Sequence, residues 1–135
     1  MQRFLGTLVA ASLCLLPGLA LAQDKTNWID LTNAGERELR CQYLLAHWMS
    51  GEILRIAPGE SVTLVIYRSA EGALYLRQID DPRPLYVESL LCGPDLGFGE
   101  DRQQIDLSPL RQGASRRLAV SCATAPPLCR ADPQS

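Results

Sequence analysis

"CQYLLAHWMS", residues 41–50, decides the fold class of this chain. Read as a strand, Leu39, Cys41, Tyr43, Leu45 and His47 fall on one face and Gln42, Leu44, Ala46 and Trp48 on the other, the period of two that an extended backbone imposes. Read as a helix, Cys41, Leu44, Leu45, Trp48 and Met49 make an i, i+3, i+4, i+7, i+8 stripe. Asn33 with Glu36 then supplies an N-x-x-E start and Gly51 a stop. Residues 33–52 contain no Val, Ile or Thr, which favours the helix. The neighbours favour the strand, because a strand-like run ends in "NAG" just before and the segments that follow all read as β. Propensity is a weak prior that tertiary context overrides. The expectation is therefore a strand, and the alternative is an α+β fold with one helix around 36–50.

Outward from this stretch, short strands alternate with turn signals. "NWIDLT" puts Ile29 and Leu31 on one face and Trp28, Asp30 and Thr32 on the other. "SVTLVIYR" (61–68) is the clearest strand, with Val62, Leu64 and Ile66 in phase and a high β-branched content. "ILRI", "LYLRQI", "LYVESLL", "RQQIDL" and "RRLAVSC" follow the same pattern, the last placing Leu118, Val120 and Cys122 on one face. "APGE", "SAEGA" and "DDPRP" are turns by their Gly, Pro and Asp content. Turns about every 8–12 residues without βαβ alternation predict an all-β fold, a small antiparallel β-sandwich or barrel-like domain.

The ends set the boundaries. Residues 1–22 have the form of a secretory signal: Arg3, the apolar run "FLGTLVAASLCLL", then Ala20-Leu21-Ala22 as a small-x-small cleavage site. The run is broken by Pro17 and Gly18 and is shorter than the about 20 residues a transmembrane helix needs. Cleavage between Ala22 and Gln23 leaves 113 residues. The expected organisation is 1–22 signal peptide, 23–125 a single β domain, and 126–135 an irregular Pro-rich tail. A chain of that size buries about two-thirds of its unfolded surface.

Cleavage also removes Cys14 and leaves four cysteines, Cys41, Cys92, Cys122 and Cys129. An even number in an exported chain reads as two disulfides. Of the three connectivities, Cys41–Cys92 with Cys122–Cys129 is preferred, since the last two flank the turn-prone "ATAPPL" and a local bridge closes most readily. Zinc is not expected: no C-x-x-C pair exists. Localisation is expected to be periplasmic or secreted, with no stable membrane insertion after signal removal.

Segment 23–135 carries twelve basic and fifteen acidic residues, a net charge of −3, with eleven arginines and one lysine spread singly apart from Arg116-Arg117. Without a basic stripe, nucleic acid is not an expected partner.

Candidate sites are few. His47, the sole histidine, lacks a recognisable nucleophile turn for acid–base work and companions for a metal. It reads mainly as a partly buried strand residue, with Trp48 beside it as the basis for a recognition surface. The loop "GPDLGFGED" (93–101) clusters Asp95, Glu100 and Asp101 among glycines, yet places Gly97 and Gly99 where an EF-hand needs oxygen ligands. It is expected to be an exposed flexible loop with Phe98 as a contact residue. Glu88, in phase with Tyr86 and Leu90, needs a partner if that face is buried.

These features lead to one expectation and two rivals. The first is a non-catalytic exported domain that binds a protein or a cell-envelope component, with Trp48, His47 and Phe98 as candidate contacts and no cofactor or metal. The second is an inhibitor of an extracytoplasmic hydrolase, loop 93–101 entering the target's cleft. The third is a small hydrolase or metal-binding protein built on His47.

Overall fold

In the computed structural model, residues 23–123 and 128–134 are described. Nine strands dominate: β1 Lys25–Asn33, β2 Leu39–Leu45, β3 Ser50–Ile56, β4 Ser61–Arg68, β5 Leu74–Leu76, β6 Leu85–Pro94, β7 Gln103–Ile105, β8 Arg117–Cys122 and β9 Cys129–Gln134. The only α-helices among the described residues are two short ones, α1 Phe98–Asp101 and α2 Ser108–Arg111. The fold is all-β with two disulfides, Cys41–Cys92 and Cys122–Cys129. Two disulfides fit an oxidising, extracytoplasmic compartment.

The strands run in the order β3-β2-β6-β5-β4-β1-β8-β9, with β7 on the other side of β6. Strand β6 belongs to both halves: Leu85 and Tyr86 pair with β5, while Val87–Pro94 pair with β2. Inward side chains of both halves join one core, including Ile29, Leu31, Ile66, Leu118 and Val120 from one and Leu39, Cys41, Tyr43 and Leu90 from the other. All neighbours are antiparallel except β1 and β8, which run parallel. The sheet is therefore mixed rather than purely antiparallel. The connection from β1 to β8 passes through most of the chain, which frees it from the hairpin constraint.

"CQYLLAHWMS" divides. Residues 41–45 are strand, with Leu39, Cys41, Tyr43 and Leu45 buried and Leu44 exposed, and no helix spans 36–50. The chain then turns through a short 3-10 segment, Ala46–Trp48, before β3. Two register shifts complete the local geometry. One lies in the β2–β3 pairing between Gln42 and Leu44. In the other, Leu44 faces Ser89 and Leu45 faces Val87, so Glu88 is bulged out. A bulge breaks the period of two, so Glu88 is exposed while Leu90, two residues on, is buried. The amino group of Arg111 donates to the Glu88 and Val87 carbonyls at 2.7 and 3.3 Å, bracing the bulge.

The C-terminal segment departs from the expected irregular tail. Residues 124–127, which hold both adjacent prolines, lie outside the described residues, but Cys129–Gln134 forms β9 along β8. The Cys122–Cys129 pair starts that ladder. The Gln103 side chain clamps it from β7, accepting from the Cys129 N–H at 3.1 Å and donating to the Cys129 carbonyl at 2.9 Å. A side-chain amide thus stands in for a strand residue, and β9 is the outermost strand, where a proline such as Pro133 is tolerated.

Candidate recognition surface

Two hairpins bring three tyrosines into one row. The β4–β5 turn hydrogen-bonds Ser69 N to Ala73 O at 2.9 Å and Gly72 N to Ser69 O at 3.0 Å. Gly72 sits at φ +91°, and a Cβ there would lie 2.8 Å from the Arg111 carbonyl, so only glycine closes this turn unstrained. The register that results sets Tyr67 opposite Tyr75, and Tyr75 opposite Tyr86. Their ring centroids are 5.6 and 6.2 Å apart, the first pair stacked and the second edge-to-face, geometries that aromatic quadrupoles favour.

Arg77 lies on this row with its guanidinium carbon 3.9 Å from the Tyr67 ring centroid. The buried Tyr75 hydroxyl donates to the Asp24 carboxylate, and Arg77 reaches the same oxygen at 3.4 Å. Burial, followed by that bond to a carboxylate, pushes the Tyr75 phenol above its ordinary value, so it stays neutral. Together Asp24, Tyr75, Arg77, Asp81, Pro84 and Tyr86 border a hollow of about 450 Å³. Its far wall is the "DDPRP" turn, tied by a bidentate Arg83–Asp81 pair as close as 2.6 Å. Arg83 holds the Asp81 carboxyl down at about 2.

A second hollow, about 420 Å³, opens on the other side of Arg77 and Gln78, against Leu45, Met49, Leu76 and Leu85. It joins the β2–β3 turn to the β5–β6 loop, and Arg77 and Gln78 line both hollows. Exposed apolar side chains gather at the same end: Met49 at 51%, Tyr86 at 47%, and Ile79 fully exposed on the loop next to Gln78. At the other end of the molecule Leu96 stands exposed.

The sequence-derived candidates separate on this geometry. His47 and Trp48 lie in the β2–β3 turn at this end; nothing is described of the Trp48 side chain. His47 is exposed rather than on the inner strand face, because the strand ends at Leu45. It adopts φ 67°, ψ 29°, the left-handed conformation that histidine tolerates better than most side chains. Phe98 does not join them. It is 7% exposed, covered by Arg40 with the guanidinium carbon 4.4 Å from its ring centroid. The expected flexible loop 93–101 instead continues β6 to Pro94 and coils into α1, which turns its aromatic inward. Phe98 is thus buried rather than offered as a surface contact.

A further hollow, about 350 Å³, lies beside Trp28, with Arg116 and Arg117 5.5 and 5.8 Å from the indole. Its donors are already engaged. Arg116 donates twice to the Thr26 carbonyl, and Arg117 makes a bidentate pair with Asp30 at 2.6 and 3.0 Å. The Thr63 hydroxyl adds a third bond, and these contacts hold the Asp30 carboxyl below its ordinary value.

Among the described residues no three His, Cys, Asp or Glu side chains are grouped to hold a metal, and no helix is long and apolar enough to cross a membrane. What the paired hollows offer chemically is aromatic and apolar surface around a rigidly held cation, the composition of recognition surfaces. A two-disulfide β domain with one such end is as far as the arrangement itself defines the class. No protein-family model matches the chain, and no curated protein matches it in sequence.

Proposed function

We propose that the protein is exported by the signal at residues 1–22, cleaved between Ala22 and Gln23, and acts outside the cytoplasm as a non-catalytic domain that binds a protein partner. The contact surface is the end built from the β2–β3 turn and the β5–β6 loop. One observation carries this reading: Met49 and Tyr86 are exposed on the two hollows that Arg77 lines, with Ile79 exposed two residues along the same loop, where solvation alone would favour polar side chains. Tyrosine and arginine held rigid by neighbours bind with little ordering cost. The two disulfides stabilise the folded domain that presents this patch.

The test is retention of extracytoplasmic proteins on the immobilised domain. Ile79→Ser with Tyr86→Ser, both at exposed positions, will stay folded, with a thermal midpoint lowered only by the lost Tyr75–Tyr86 ring contact, and will lose the retained protein. Equal retention by the wild type and the double variant would refute the assignment of this surface.

A further inference from the structure

We infer that the junction of the two hollows is a binding site for the C-terminal carboxylate of a peptide chain; this rests on the reading of that end as a protein-binding surface. Arg77 takes the carboxylate, and the groove beside it takes the last side chain.

Among the described residues Arg77 makes no ion pair, unlike several other arginines. Arg55, Arg83 and Arg117 each reach a carboxylate within 3.5 Å. Arg116, stacked like Arg77, has spent its fork on a carbonyl. Arg77 lies over the Tyr67 ring, yet among the described residues its hydrogen bonding amounts to one long contact, 3.4 Å, with the Tyr75 hydroxyl. Tyr75 in turn satisfies Asp24, which is why that carboxylate does not close on the guanidinium. A planar fork held by stacking, with donors to spare, matches a carboxylate in bidentate fashion.

The surroundings narrow the ligand further. Asp24 and Asp81 border the hollow, so a singly charged anion is repelled less than a phosphate dianion. Arg77 lines both hollows, one aromatic and polar, the other walled by Leu45, Met49, Leu76 and Leu85. The ligand must therefore place its charge and an apolar group within a few bonds of each other. The terminal residue of a chain does this, since its carboxylate and side chain share one carbon. Strand addition at β5 is excluded, because β5 is paired on both sides.

The experiment is amide NMR titration of the full exported domain with three probes: acetyl-Ala-Ala-Leu as the free acid, the same peptide as its C-terminal amide, and free L-leucine. The acid is expected to shift amides of residues 49–51, 76–78, 85 and 86, and the amide to bind at least about tenfold more weakly, the usual worth of a charge-assisted pair. Arg77→Gln will weaken the acid to the level of the amide, and Arg77→Lys, charged but without the fork, will fall between. Acid and amide binding alike, no binding of either, or shifts at the Trp28 hollow would overturn the site. Leucine binding as tightly as the peptide would overturn a peptide as the source. If these probes fail while Ile79→Ser with Tyr86→Ser still abolishes partner retention, the carboxylate site falls and the protein-binding surface stands.

Discussion

The two disulfides differ in the loop they close, and that difference sets their relative worth. Cys41–Cys92 spans 51 residues and Cys122–Cys129 spans 7. Both join directly opposed residues on neighbouring antiparallel strands, and all four cysteines are buried. Replacing either pair by alanines therefore leaves a similar small void, and the loop entropy decides the ranking. On the chain-entropy relation the longer loop restrains the unfolded chain by about 4 kcal/mol and the shorter by about 2.5 kcal/mol. Cys41→Ala with Cys92→Ala should then be less stable than Cys122→Ala with Cys129→Ala by about 1.5 kcal/mol. At a urea slope of about 1.5 kcal/mol/M that gap separates the unfolding midpoints by about 1 M. Urea titrations of the two double variants, each with its remaining disulfide intact, read the difference directly. Coincident midpoints, or the reverse order, would refute the argument that these bridges act through the unfolded chain.

Further outcomes follow from single contacts. Gln103→Ala leaves both backbone groups of the buried Cys129 without their partner and will cost about 1–3 kcal/mol, seen as a lower urea midpoint and faster exchange of the Cys129 amide. His47→Gly exchanges left-handed strain for glycine's backbone entropy and will change stability by less than about 1 kcal/mol, whereas the β-branched His47→Val will lower the thermal midpoint clearly. Acid will lower stability in a predictable direction. The Asp81 and Asp30 carboxyls sit below their unfolded values in the folded state, so the unfolded chain binds more protons as pH falls. Their contribution is present above the ordinary aspartate range and is lost as pH falls through it, for Asp81 toward about 2, and Asp30→Asn will reduce that loss in an acid titration followed by circular dichroism.

Much of the fold was legible because burial alternates strictly along β1 and β8: Ile29 and Leu31, then Leu118, Val120 and Cys122, each lie where a period of two puts them. The strand reading of residues 41–45 came from neighbours rather than composition, and it succeeded because Cys41 is pinned to Cys92 across an antiparallel pair. His47 was misplaced because the alternation gives no notice that β2 ends two residues before it. Glu88 shows the same blindness to a bulge. Strand β9 was missed because two prolines were taken to end all order, although the second cysteine of a bridge fixes where a strand can resume. Phe98 was misread because glycines on both sides suggested exposure, and nothing local reveals the arginine that covers it.

The tyrosine row could have been found. The "SAEGA" turn centres on residue 71, and a hairpin about that centre places Tyr67 opposite Tyr75. The contact with Asp24 and the second hollow, by contrast, are long-range products of the fold and carry no sequence signal.

The most direct test of the recognition surface is photocrosslinking in exporting cells, with a benzophenone residue placed at Ile79, at Val65 or at Leu96, all three exposed. A discrete protein adduct is expected from position 79 that vanishes with Tyr86→Ser, and none from 65 or 96. The same adduct from Leu96 with none from Ile79 would place recognition at the opposite end and contradict this assignment.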